Sequence, residues 1–367
     1  MWLNDAILAV MALFMVIGAA DHYILSHRLK LGHKFHEAFM MMGPLALAMV
    51  GIISLAPVLS EWLTPIITPF YHAIGADPSM FPSMLLAIDM GAYPLATATA
   101  ESKEAGIFSW VFLGTMMGPT LVFTIPVALS IITPGDRPYF ARGVLIGLMT
   151  IPIGCLAGGA LAGYSFAWMI QNLIPTLILS LMIAYGLWQL TQLTIRLFTW
   201  FGKLIELIII TGLIAITIET LLGVTVIAGL APLQEGMTIV GTITVTLAGA
   251  YPLVACVIQI GEKPFARLGE KLGLNPTAMA GFIASLAHHI PMFATMRDMD
   301  PRGKVMNAAF AVSGAFTFGA HLAFVAGIEK EMMLAMTVGK LTAGLLAVGL
   351  AYLMTHSMTA SGKNNLK

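Results

Sequence analysis

Charge is what this sequence has least of. Of 367 residues only 10% are Asp, Glu, Lys or Arg, against about 25% in a typical soluble domain. Eighteen basic residues balance eighteen acidic ones, leaving no net charge. Such a chain is neither an ordinary cytosolic enzyme nor a disordered segment. It offers no basic surface to phosphate either, so nucleic acid is excluded as a partner. Cysteine is nearly absent: Cys155 and Cys256 both lie inside apolar runs and imply no disulfide framework. HExxH, GxSxG, a phosphate-binding loop and paired-cysteine motifs are all missing. The sequence therefore presents no enzyme constellation and no cofactor motif. The N-terminus, apolar from Trp2 to Gly18, lacks a basic leader and a clear cleavage site, and reads as a first span rather than a removable signal.

What the chain has in excess is apolar surface, 58% of its residues. Apolar segments run over roughly 2–24, 37–60, 78–100, 107–133, 137–163, 166–195, 204–222, 236–260, 276–296, 305–327 and 332–355. A helical span needs about 20 such residues, and the continuity of these runs excludes an outer-membrane barrel, whose strands alternate. The expected fold is an all-α polytopic membrane protein: one transmembrane domain over 1–355, with a disordered polar tail at 356–367. Composition does not set the oligomeric state, and a homodimer is carried as an expectation.

Lysine and arginine favour cytoplasmic loops. If all eleven segments cross, they divide nine to eight between the two sides. If 78–100 and 276–296 instead enter and leave on one face, fifteen gather on the cytoplasmic side. Only Lys103 and Lys330 then lie outside, with Lys340 inside a span. This second arrangement gives nine spans, two re-entrant hairpins, the N-terminus outside and the C-terminus in the cytoplasm. Each candidate hairpin has a helix breaker near its middle, Asp89-Met90-Gly91-Ala92-Tyr93-Pro94 in one and His288-His289-Ile290-Pro291 in the other. From Pro78 to Gly91 a helix would climb about 21 Å, past the midplane of a hydrocarbon core about 30 Å thick. Kinked full spans are the alternative, since prolines are tolerated in such helices.

An internal repeat favours the hairpins. A shift of 198 residues aligns Gly43 with Gly241, Gly51 with Gly249, Leu55 with Leu253, Gly75 with Gly273 and Pro78 with Pro276. Asp77-Pro78-Ser79 then overlays Asn275-Pro276-Thr277, a helix start in both copies. The expected units are repeat 1 over about 37–163, linking spans over 166–222, and repeat 2 over about 236–355, in opposite orientations. An inverted repeat with paired broken helices is a common plan of secondary transporters, and its breaks mark the binding site.

The candidate site residues cluster at those breaks. Asp89 is an acid within an apolar segment, suited to a cationic substrate or a coupling ion; the structural alternative is a protonated, hydrogen-bonded carboxyl. Met90 and Gly91 accompany it at the break, and the ring of Tyr93 could face an ammonium or simply pack. His288 and His289 stand at the equivalent break and could bond a hydroxyl, shuttle a proton or cap broken backbone. Neighbours in a helix do not share a face, so one of the two is expected to face the pore. Asp89 with this pair could also build a metal site, though nothing in the spacing requires one. His321 is a third candidate, and Ser313 and Thr317 share a face of the following span, with Thr115 and Thr120 as counterparts in the first half. Hydroxyls of this kind often bond only to their own helix. The run Gly154–Gly163 reads as a close-packing face.

Several motifs carry a resemblance. Glu37-Ala38-Phe39-Met40, Met42-Gly43-Pro44-Leu45, Asp89-Met90-Gly91, Met116-Met117-Gly118-Pro119-Thr120 and Ile151-Pro152-Ile153-Gly154-Cys155 resemble the ethanolamine-utilisation transporter family, EutH. Gly249-Ala250-Tyr251-Pro252, Ile290-Pro291-Met292-Phe293, Arg302-Gly303-Lys304-Val305 and Ala309-Phe310-Ala311-Val312-Ser313 extend it through the second half. The resemblance implies a bacterial inner-membrane permease that takes up ethanolamine for breakdown. It also implies two departures: the family pattern has Asn-Asn where this chain has His288-His289, and Asp where it has Ala320. The alternative to ethanolamine is a proton- or metal-ion-coupled carrier of another small solute.

Overall fold

The computed structural model describes residues 2–355, apart from the side chains at 188, 191, 195, 261–268 and 270. The tail expected at 356–367 lies outside the described residues. Every regular element among them is helical. In lipid this follows from the backbone, since a helix satisfies its own N–H and C=O groups where no water can. Eight helices of the described residues are long and apolar enough to cross a membrane: Trp2–Tyr23, Gly32–Ala73, Lys103–Ile131, Pro134–Leu161, Phe166–Leu187, Gln192–Leu222, Leu233–Ile260 and Lys330–Met354.

The first half comprises α1 (Trp2–Tyr23), α2 (Gly32–Met40), α3 (Met42–Ala73), the short pair α4 (Met80–Leu85) and α5 (Ala92–Thr99), then one long helix assembled from α6 (Lys103–Phe108), α7 (Gly114–Pro119) and α8 (Ile125–Ile131), and α9 (Arg137–Leu161). Two linking helices follow, α10 (Phe166–Gln189) and α11 (Thr191–Leu222). The second half comprises α12 (Leu233–Leu272), the short pair α13 (Pro276–Ala287) and α14 (Ile290–Thr295), a second broken pair α15 (Pro301–Gly314) and α16 (Ala320–Ile328), and α17 (Met333–Met354).

Both segments marked as broken, 78–100 and 276–296, are interrupted where the breakers stand. Their ends meet. The Glu101 N–H donates to Asp77 Oδ2 at 3.2 Å, closing the first segment on itself. In the second, the Asn275 N–H donates to Asp300 Oδ2 at 3.0 Å, and Asn275 Nδ2 to the Asp298 carbonyl at 2.8 Å. These residues also cap helices: Asn275 Oδ1 accepts from the Ala278 N–H and Asp300 Oδ1 from the Gly303 N–H, filling the donors that a helix start leaves open. Within each segment the two short helices pack on each other.

The expected continuous span 305–327 is corrected. It breaks at 315–319 between α15 and α16, with Phe316 at φ 61°. The Phe316 N–H donates to the Ser285 carbonyl at 3.0 Å and the Phe318 N–H to the Leu286 carbonyl at 2.9 Å. The last turn of α13 thereby gains donors for carbonyls that its own helix leaves open. Helix also extends beyond the apolar segments read as 37–60 and 236–260: α3 continues to Ala73 through Pro57, Pro65 and Pro69, and α12 continues to Leu272.

The core lies between α9, α15 and α17, which pack along one another. Small residues allow this: a Cβ on Gly154 would sit 2.6 Å from the Gly339 carbonyl. Helices α3 and α11 cross as closely, with Gly212 against the Gly51 carbonyl. The opposite faces of α10 and α11 present exposed Leu181, Met182, Leu207 and Leu221, a surface suited to acyl chains rather than water.

Candidate functional site

The two interruptions face one cavity of about 310 Å³. The first half supplies Ala87, Asp89 and Met90 from the break, Met41, Pro44, Leu45 and Ala48 from around the start of α3, and Pro119 and Phe123 from the long helix. The second half supplies Tyr251, Ala287, His288, Phe316, Ala320 and His321. Most of this wall is apolar or aromatic; Asp89, His288 and His321 bring the ionisable groups.

Local conformation explains how Asp89 reaches it. After α4 the chain extends through Leu86 (ψ 145°) and Ala87 (ψ 154°), makes a single 3-10 turn at Ile88–Met90, and reverses at Gly91 with φ 116°. That φ lies in the left-handed region where a Cβ is strained. The extended stretch runs hard against the long helix: a Cβ on Gly118 would lie 1.7 Å from the Leu86 carbonyl oxygen. Gly118 is thus what permits the break to pack against its neighbour. Among the described residues the Asp89 carboxylate forms no ion pair.

The long helix is itself distorted beside the cavity. It widens to π geometry at Ser109–Leu113 and Thr120–Thr124, a feature frequent at functional sites. Pro119 has no N–H to give the Thr115 carbonyl four residues earlier. Thr120 Oγ1 donates to the Met116 carbonyl at 2.7 Å and also reaches the Val312 carbonyl at 3.2 Å, linking the halves.

The adjacent histidines separate. His288 lines the cavity, half-buried, and its Nδ1 accepts from the Ile290 N–H at 3.2 Å. His289 is fully buried and turned into the core. Its Nε2 lies 2.9 Å from Thr124 Oγ1, and its ring stacks on Phe123 at 5.5 Å. His321, reaching the cavity from the first turn of α16, has its ring 5.0 Å from that of Phe316.

Four of the nine sequence candidates therefore share the cavity: Asp89, Met90, His288 and His321. Gly91 shapes the break without lining the cavity. Ser313 is buried outside the cavity lining, its hydroxyl without a partner among the described residues, and Thr317 Oγ1 donates to the Gly314 carbonyl at 2.8 Å. Tyr93 faces elsewhere. It packs edge-on against Trp110 and Phe324 and lines a separate cavity of about 370 Å³ with Glu101, Lys103 and Glu329. Phe123, Tyr251 and Phe316 are wall residues that sequence reasoning did not select. Tyr251 and Pro119 stood within quoted motifs; Phe316 carried no signal. Among the described residues no group of three or more His, Cys, Asp or Glu is placed to hold a metal.

Residues 3–354 match the family described as ethanolamine utilisation protein, EutH. The chain belongs to that family. It is 52% identical to the uncharacterized protein YxeR of Bacillus subtilis, over 100% of this chain and 99% of the relative. It is 48% identical to a probable ethanolamine permease EutH of Listeria monocytogenes, over 99% of this chain and 97% of that protein. A probable ethanolamine permease EutH of Escherichia coli is 42% identical, over 98% of each chain. The two named relatives are permeases, not enzymes. No solved structure matches.

Proposed function

We propose that this protein carries ethanolamine, as the protonated amino alcohol, across the bacterial inner membrane by alternating access. The observation behind this reading is the shared cavity, whose wall combines one carboxylate from the first break with His288 from the second and His321 from α16. Ethanolamine is mainly a cation at neutral pH and needs one anionic partner and one or two groups for its hydroxyl. Asp89 supplies the first, in a mostly apolar chamber where the attraction is little screened. His288 supplies the second, with His321 beside it. Phe123, Phe316 and Tyr251 offer ring faces to the ammonium. Ala320 leaves room on the wall of this chamber. The named relatives, with ethanolamine in their printed names, give the substrate its identity.

In this reading 78–100 and 276–296 are re-entrant hairpins of an inverted repeat, with repeat 1 at about 37–163, linking spans at 166–222 and repeat 2 at about 236–355. The hydrogen bonds joining the two ends of each segment support that reading, because a hairpin returns to its starting face whereas a kinked span does not. The charge distribution then puts the N-terminus outside and the C-terminus in the cytoplasm. One part of the repeat rocks against the other around the cavity.

Purified protein in liposomes tests the function. Saturable uptake of radiolabelled ethanolamine, suppressed by unlabelled ethanolamine and not by glycerol, is expected. Asp89→Asn should abolish that uptake while the protein still inserts. Wild-type-like uptake by this variant would reject the role of Asp89, and no uptake by the wild type would reject the function.

A further inference from the structure

One charged side chain lies deep in the fold and outside the cavity. Lys340 stands eight residues into α17, about 12 Å along it, and is wholly buried. Its Nζ donates to a single acceptor, the Thr115 carbonyl, at 2.6 Å. That is the carbonyl left open because Pro119 lacks an N–H. Among the described residues no carboxylate pairs with Lys340. An ammonium has three N–H donors, so the charged form leaves two of them without a partner in a dry interior, at considerable cost.

Among the described residues no acid compensates it. Ionisable residues on the elements packed against α17 are Asp5, Asp21, His22 and Tyr23 of α1, Arg137, Tyr139, Arg142 and Cys155 of α9, Arg302 and Lys304 of α15, His321 of α16, and the exposed Lys330 and Glu331 of the turn that precedes α17. Asp5 is exposed and bonds to Lys330, and Asp21 is held by the N–H groups of Leu29, Leu31 and Gly32. The amine is anchored one turn before Pro119, on the helix that carries Pro119 and Phe123 into the cavity wall.

We propose that Lys340 is the proton-carrying residue of the transport cycle, releasing its proton as ethanolammonium enters. A cation in the cavity and the ammonium behind Pro119 repel each other across a weakly screened interior, and the one with a single acceptor gives way. Balance is simple. Lys340 as R–NH3+ becomes R–NH2 and its proton leaves to the side from which the substrate enters; once the substrate has left on the other side, R–NH2 takes up one proton there and the emptied carrier returns. Each turnover moves no net charge. The inference rests on the transport reading above and adds its coupling.

Lys340→Met keeps the length of the stem and removes the proton. Proteoliposomes on a solid-supported membrane should show wild-type ethanolamine transport with close to no charge moved per substrate. In Lys340→Met, counterflow exchange should persist while net uptake becomes electrogenic, one charge per ethanolamine, and accelerates with an inside-negative potential. Wild-type transport that already moves one charge per substrate would overturn the proposal. Should the variant not fold, purified wild-type protein in weak buffer decides. Addition of pH-matched ethanolamine should release protons in proportion to binding. Binding without release overturns this proposal alone; no binding removes the transport reading and the proposal with it.

Discussion

The two broken segments are built alike and equipped differently. Each starts at an Asx residue beside a proline, stops near its middle, and closes its ends by hydrogen bonds, Glu101 to Asp77 in one and Asn275 to Asp300 in the other. Their tips diverge. The first carries a carboxylate with no ion pair, reversed on a left-handed glycine. The second carries two imidazoles, one facing the cavity and one locked into the core by Thr124. Backbone geometry is shared because both halves face the same problem of breaking a helix in lipid. Chemistry is not shared, and under the proposed function that difference suits a small molecule with an ammonium at one end and a hydroxyl at the other, which needs two unlike partners.

The comparison can be broken at the carboxylate first. Asp89→Asn removes the only carboxylate on the cavity wall among the described residues, and loss of a charged partner from a buried pair costs about 2–5 kcal/mol. A fall in apparent affinity of roughly two orders of magnitude or more is expected, measured as saturable uptake or by calorimetry. The equivalent loss in the second half, His288→Ala, removes a hydrogen-bonding group of about 0.5–1.5 kcal/mol. It should raise the half-saturation concentration several-fold and leave Asp89-dependent binding in place. Equal effects of the two changes would contradict the division of roles.

The adjacent histidines sharpen the point. His289→Ala should lower the midpoint of thermal unfolding in detergent, since it leaves Thr124 without its partner and a void behind Phe123, at a cost of about 1–3 kcal/mol. Its apparent affinity should change less than that of His288→Ala. Gly118→Ala tests the packing of the first break. A Cβ placed 1.7 Å from the Leu86 carbonyl must displace the extended strand, and a sharp loss of folded protein by size-exclusion chromatography is expected. The smallest effects belong to the latches. Asp77→Ala and Asn275→Ala, at the positions that the repeat aligns, each remove side-chain hydrogen bonds at the mouth of a segment, about 0.5–1.5 kcal/mol per bond, and comparable losses of thermal stability in the two variants are expected.

Much of this was legible before any coordinates. The breaks at Asp89-Met90-Gly91 and His288-His289 announced themselves as polar residues and breakers inside apolar runs, a signal strong because lipid penalises both. The helix ends were less legible. The apolar segment 37–60 falls short of the end of α3, which continues to Ala73 through Pro57, Pro65 and Pro69, as membrane helices tolerate prolines. The break at 315–319 left no mark in the sequence between Gly314 and Gly319 strong enough to separate it from an ordinary span. It exists because the carbonyls of Ser285 and Leu286 needed donors, which is a demand made by another element.

Composition and local chemistry alone determined that this chain is a bundle of membrane helices with two interrupted segments, and which ionisable residues stand at the interruptions. Hydrophobic length and breaker residues act locally, so they can be read locally. Tertiary structure decided which of the adjacent histidines meets the cavity, that Tyr93 faces a different one, and that Lys340 is tied to a carbonyl opened by a proline on another helix. Those outcomes depend on the direction a side chain takes and on what packs against it, and neither is set until distant parts of the chain meet.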